Sequence, residues 1–223
     1  MTTFVLVPGG WRGGWYFSDL ADRLRAAGHR ALTVTPTGLG DRAHLNGADV
    51  NLDTHIDDVL ALLTCEQVGD AVLVGHSYGG MVITGAADRA AAGVVRRLVY
   101  ADAYVPEDGQ SCWDLTSDAY RRAFLEGAAA NGYAVQPPPG RDPRVTAHPL
   151  ASFLQRIRLD GTGLRDVTTR DYVYLSGWAG TPFTAVRDRL STDPAWRVHT
   201  LDSGHDVCGD APQEFLEILL RGE

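Results

Sequence analysis

Lysine is missing from this sequence. All twenty basic residues of the 223-residue chain are arginine, which excludes a Walker phosphate loop and any Schiff-base mechanism. Cysteine is nearly as scarce. Cys65, Cys112 and Cys208 form an odd, scattered set with neither metal-site spacing nor the even count of a disulfide framework. That usage fits a reducing compartment, so a cytoplasmic location is expected. Positive charge is also in deficit. The chain has 28 acidic residues and a formal charge of −8, which excludes nucleic acid and anionic membrane as partners, since both select basic surfaces. Long apolar runs are absent as well. The opening MTTFVLVPGG has no basic stretch and reaches glycine too soon to read as a signal peptide or a membrane span.

What is present is ordinary for a globular protein, with 44% hydrophobic and 22% charged residues. The length suits one sizeable core and not two, so residues 1–223 are expected to form a single domain. Short apolar runs alternate with helical patterns, as in a mostly parallel sheet covered by helices on both faces. Strands are expected at Phe4–Val7, Ala31–Thr35, Ala71–Val74, Leu98–Ala101, Tyr172–Leu175 and Arg197–Leu201. Helices are expected from Ser18, as a cap, to about Ala27, from Asp53 or Thr54 to Leu63, after Gly80, near Val186–Leu190, and from Pro212 to Leu220. The alternation breaks between about Pro106 and Thr168. There the sequence predicts helical stretches, Trp113–Leu125 and Leu150–Ile157, around a Pro137-Pro138-Pro139-Gly140 loop, and no strand. A helical cap inserted over the sheet fits this stretch.

Three segments carry chemistry. Gly75-His76-Ser77-Tyr78-Gly79 is G-x-S-x-G between a buried strand and a helix. A turn that sharp strains the serine backbone, needs small residues two before and two after, and aims the N–H of Tyr78 toward a developing oxyanion. The loop Gly9-Gly10-Trp11-Arg12-Gly13-Gly14 follows the first strand, and Trp11 stands where a dinucleotide loop needs its middle glycine. Gly10 is therefore expected to give the second oxyanion donor, with the N–H of Trp11 as its competitor. His205, in Asp202-Ser203-Gly204-His205-Asp206, follows the last strand and is the candidate base for Ser77. The other six histidines, at 29, 44, 55, 76, 148 and 199, are read as structural or surface groups. Cys208 lies near His205 but is read as a buried, inert thiol.

These residues carry a family resemblance. Phe4-Val5-Leu6-Val7-Pro8-Gly9-Gly10-Trp11 through Trp15, Ala26-Ala27-Gly28-His29-Arg30, Gly75-His76-Ser77-Tyr78-Gly79-Gly80, Leu98-Val99-Tyr100-Ala101-Asp102 with Val105-Pro106, and Gly204-His205-Asp206 together resemble one branch of the α/β-hydrolase superfamily. That branch contains plant methylesterases, hydroxynitrile lyases and related bacterial esterases. The resemblance implies an α/β-hydrolase fold with a small helical cap and no cofactor or metal. Two departures matter. Pro8-Gly9 replaces the usual His-Gly of the first loop. The lyases' Thr in that loop and Lys after the catalytic His are absent, here Gly9 and Val207, so cyanohydrin cleavage by that route is not expected.

The acid that should hold His205 is displaced too. In most α/β-hydrolases it follows the strand that here reads Tyr172-Val173-Tyr174-Leu175, but the next residues, Ser176 to Thr181, include no carboxylate. Asp102, at the end of the strand after the elbow helix, is the expected acid. An Asp102 that only anchors the cap's entry loop, or a Ser–His dyad helped by a carbonyl, are the alternatives.

The expected function is hydrolysis of a carboxylic ester, lactone or thioester of a small, partly apolar molecule. Trp11, Trp113, Tyr120, Phe124, Tyr133, Phe153 and Trp178 are the candidates to line the substrate pocket. A lyase, cyclase or decarboxylase step in the same pocket, and a non-catalytic receptor for a small ligand, are the competing readings. The partner expected is thus a small molecule. The residues do not fix an oligomeric state, a homodimer included.

Overall fold

The computed structural model describes residues 1–139 and 142–221, so Gly140 of the expected proline-rich loop lies outside the described residues. The chain runs β1 (Thr3–Val7), α1 (Ser18–Ala26), β2 (Arg30–Thr33), α2 (Leu52–Cys65), β3 (Ala71–His76), α3 (Gly79–Arg89) and β4 (Val95–Ala101). The cap stretch follows as α4 (Cys112–Leu115), α5 (Asp118–Ala128), β5 (Ala134–Val135), β6 (His148–Pro149) and α6 (Leu150–Leu154). The sheet resumes with β7 (Thr169–Leu175), α7 (Thr184–Ser191) and β8 (Arg197–Leu201), and the described chain ends in α8 (Val207–Asp210) and α9 (Pro212–Leu220).

Six strands form one parallel sheet in the order β2-β1-β3-β4-β7-β8. Helices cover both of its faces, which is why the central strands read as unbroken apolar runs. Val5, Val7, Leu73, Leu98 and Tyr172 point into the layer shared with α2, α3 and the cap. Phe4, Leu6, Val72, Val74, Val99 and Val173, one residue out of phase, point into the layer under α1 and α9. Each large side chain fully buried in these layers contributes about 1.5–3 kcal/mol. Among the described residues no helix is long and apolar enough to cross a membrane.

The cap departs from expectation in its detail. The stretch read as one helix, Trp113–Leu125, is split in two because Ser111 and Ser117 each cap a new start. Ser111 Oγ accepts the Asp114 N–H at 3.1 Å and Asp114 returns the bond to the Ser111 N–H, while Ser117 Oγ accepts from Tyr120. α6 stops at Leu154, after which the chain is extended and Ile157 donates its N–H to the Gln110 carbonyl. The cap also holds a two-residue antiparallel ribbon, Ala134 with Pro149 and Val135 with His148, where no strand was expected. This ribbon is separate from the central sheet. Elsewhere Ser18 makes no capping bond, since a turn of 3-10 helix at Gly14–Phe17 leads directly into α1. α2 starts one residue early on an Asn51 cap paired with Thr54.

Candidate active site

Ser77, Asp102 and the Gly10 loop come from the carboxyl edge of the sheet, where β1, β3 and β4 end side by side. β3 is buried along its whole length and turns sharply at Ser77, whose φ of +53 lies in the left-handed region. The turn depends on the absence of side chains on either side of it. A Cβ on Gly75 would lie 2.7 Å from the Gly79 carbonyl oxygen, and one on Gly79 would lie 2.4 Å from that of Val7. The elbow is also knitted to the end of β4. Ser77 donates its N–H to Ala101 (3.2 Å), and its carbonyl accepts from Gly80 and Tyr104.

Asp102 is the residue immediately after β4. It too is left-handed, at φ +44, and is fully buried, with its N–H donated to the Val173 carbonyl at 2.7 Å. Its Oδ2 stands 2.7 Å from Nδ1 of His205. The His205 ring is packed between Trp178 (4.1 Å between centroids) and His76 (4.5 Å). His76 holds the His205 loop from behind, because its Nε2–H donates to the His205 carbonyl at 2.8 Å. Burial pushes the His76 pKa well below the usual histidine value, and the neighbouring His205 and Arg12 charges add to the effect. His76 is thus neutral, and its Nδ1 lone pair faces the Arg12 guanidinium at 3.3 Å.

Gly10 and Trp11 are separated by their hydrogen bonds. Trp11 donates its N–H to Nδ1 of His148 at 3.2 Å. Among the described residues, neither the Gly10 N–H nor the Tyr78 N–H donates to another group of the chain. Gly10 and Tyr78 therefore present two unspent donors to the cavity that also contains Ser77 and His205.

That cavity measures about 630 Å³ with its mouth included. Of the expected pocket aromatics, Trp11, Tyr120, Phe124, Phe153 and Trp178 line it. Trp113 does not, since it packs against the core beneath the cap, and Tyr133 is turned to solvent. Several wall residues escaped the reading of the sequence, among them Arg12, Tyr104, Cys112, Val145 and Phe183. Among the described residues, Arg12 brings the only permanent charge to the wall. Cys208 lies outside the cavity, and burial pushes its thiol up to about 12, as suits an inert group.

A model of the alpha/beta hydrolase family matches residues 4–218. The chain belongs to that family. As a family member it is an enzyme with a carboxylesterase-like fold. It is 42% identical to the carbendazim hydrolyzing esterase of Nocardioides sp. (strain SG-4G), over 98% of each chain. Methylesterase 18 of Arabidopsis thaliana is 36% identical over 37% of this chain and 32% of its own. Among solved structures, an extracellular alpha/beta-hydrolase from a Paenibacillus species superposes with a TM-score of 0.84 at 21% identity, over 99% of this chain and 98% of that one. That protein is described as sharing structural and functional homology with tobacco salicylic acid binding protein 2.

Proposed function

We propose that this alpha/beta hydrolase is a serine hydrolase cleaving a carboxylic ester, lactone or thioester of a small, partly apolar molecule through an acyl-enzyme on Ser77. One observation carries the reading. A left-handed serine shares a cavity with a histidine whose Nδ1 is held by a buried carboxylate. With its Nδ1–H donated to Asp102, the neutral His205 ring keeps its lone pair on Nε2, where it takes the Ser77 hydroxyl proton during attack. The N–H groups of Gly10 and Tyr78 stabilise the oxyanion, His205 returns the proton to the leaving alcohol, and water then releases the acid. The apolar walls favour an aromatic or short aliphatic substrate. Likeness to the carbendazim hydrolyzing esterase along nearly the whole chain supports ester cleavage and makes carbendazim a member of the test panel.

The test is labelling with a fluorophosphonate, read by intact mass, alongside p-nitrophenyl acetate hydrolysis. The wild-type enzyme should gain one adduct and lose activity in proportion. Ser77→Ala should stay unlabelled, with turnover lowered by about four to six orders of magnitude. Labelling of the Ser77→Ala protein would assign the nucleophile elsewhere. Labelling of the wild type without turnover of any ester, carbendazim included, would move the reading to a lyase-type step.

A further inference from the structure

Trp11 is one of four non-glycine residues with a left-handed backbone among the described residues, at φ +65. An aromatic residue there is strained, and its surroundings must offset that strain. The offset comes from the cap. Each polar group of Trp11 is bonded to a residue of the stretch that begins with β5 and ends with β6. The backbone N–H goes to His148 Nδ1, the indole N–H to the Val135 carbonyl at 2.9 Å, and the Trp11 carbonyl accepts the Thr146 N–H at 3.0 Å. The indole ring also packs against Phe124 and Phe153.

His148 is built to accept. Ser152 Oγ donates its proton to the Pro149 carbonyl at 2.8 Å, so its lone pair receives the His148 Nε2–H, also at 2.8 Å. That leaves Nδ1 unprotonated toward Trp11. The ring is fully buried, lies flat on Phe153 (4.0 Å, 6°) and meets Tyr78 edge-on at 4.8 Å, so it has no room to turn over. Burial pushes its pKa well below the usual histidine value, with the His55 charge adding to the effect. The lone pair is therefore kept at neutral pH.

We propose that His148 is a positioning residue for the oxyanion hole. By accepting the Trp11 amide it fixes the Gly10–Trp11 peptide plane, holds the loop in its left-handed turn, and keeps the Gly10 N–H aimed into the cavity. The inference rests on the serine-hydrolase reading, in which that N–H meets the substrate oxyanion. It assigns the cap ribbon a part in the chemistry as well as in enclosing the substrate.

Two substitutions separate an acceptor from a packing role. His148→Phe keeps the stacked ring and removes the acceptor, while His148→Asn places Oδ1 where Nδ1 was. Both are assayed with p-nitrophenyl acetate and with a trifluoromethyl ketone, whose hemiketal oxyanion occupies the hole. For folded His148→Phe, kcat should fall about 10- to 100-fold with KM changed less than about threefold, since losing a whole oxyanion donor costs about 10²–10³. Ketone affinity should fall by the same factor, and His148→Asn should recover to within about fivefold of wild type. The proposal is overturned if folded His148→Phe keeps kcat within about threefold of wild type, if the loss sits in KM alone, or if the Asn and Phe proteins are equally impaired. Should His148→Phe not fold, Ser152→Ala decides the matter. It frees the choice of tautomer and should lower kcat several-fold, and an unchanged kcat and ketone affinity would sink the idea. Fluorophosphonate labelling of wild type but not Ser77→Ala, run alongside, shows that the hydrolase reading stands whichever way His148 falls.

Discussion

Asp102 lies in the left-handed region with a buried carboxylate 2.7 Å from His205, and asparagine is one of the few residues at ease with that backbone. Asp102→Asn should therefore fold normally and leave the cavity intact. It should still lower kcat/KM by about 10⁴, because an amide cannot stabilise the imidazolium and favours the wrong tautomer. The check is a steady-state assay beside a thermal melt, and a near-normal rate in a well-folded protein would make Asp102 an anchor of the cap's entry loop only. At this scale the sequence was informative where chemistry and local pattern coincide, as in the Ser77 elbow and in the carboxylate standing at the end of β4. His148 carried no such signal. Its partner is an amide 137 residues away, and a histidine beside a proline has no periodicity that points to it.

At the level of elements, the elbow depends on backbone packed against backbone. A methyl group on Gly79 would press on the Val7 carbonyl, and neither β1 nor α3 can retreat without disturbing the sheet. Gly79→Ala should thus cost about 1–3 kcal/mol. In a chain of this length that lowers Tm by about 2–4 °C per kcal/mol, measured by calorimetry, and an unchanged Tm would show that the helix shifts freely. The six strands were legible because double-sided burial leaves each as an apolar run. The cap was legible only in outline. Its helices are four to eleven residues long, two of them start on serine caps, and its ribbon joins only two residues to two. Patterns that short fall below the helical or strand period on which sequence reading rests.

The whole molecule should be acid-sensitive well above the carboxylate range. His55, His76 and His148 are buried and neutral, and burial is the leading cause for each. For His55 the folded value is about 4 against 6.5 when unfolded. A histidine lowered in this way is protonated first in the unfolded chain, so its stabilising effect is complete above about pH 6.5 and is lost as pH falls toward 4. His55 alone accounts for a loss of about 3 kcal/mol over that interval. Asp171 adds a second loss at lower pH. Burial alone would raise its pKa, but His199, Arg197 and Arg97 outweigh that and hold it at about 2, so its contribution fades below about pH 4. Calorimetry from about pH 8 to 4 should show Tm falling once pH drops below about 6.5, and a level Tm down to about pH 4.5 would contradict this. The placement of Asp102 just after β4 has a consequence for timing. Ser77, Asp102 and the Gly10 loop all precede the cap, on three adjoining strands, and only His205 arrives after it, beyond the edge strand β8. On the serine-hydrolase reading proposed above, the base is therefore the last group of the proposed triad to be synthesised, well after the nucleophile and the acid.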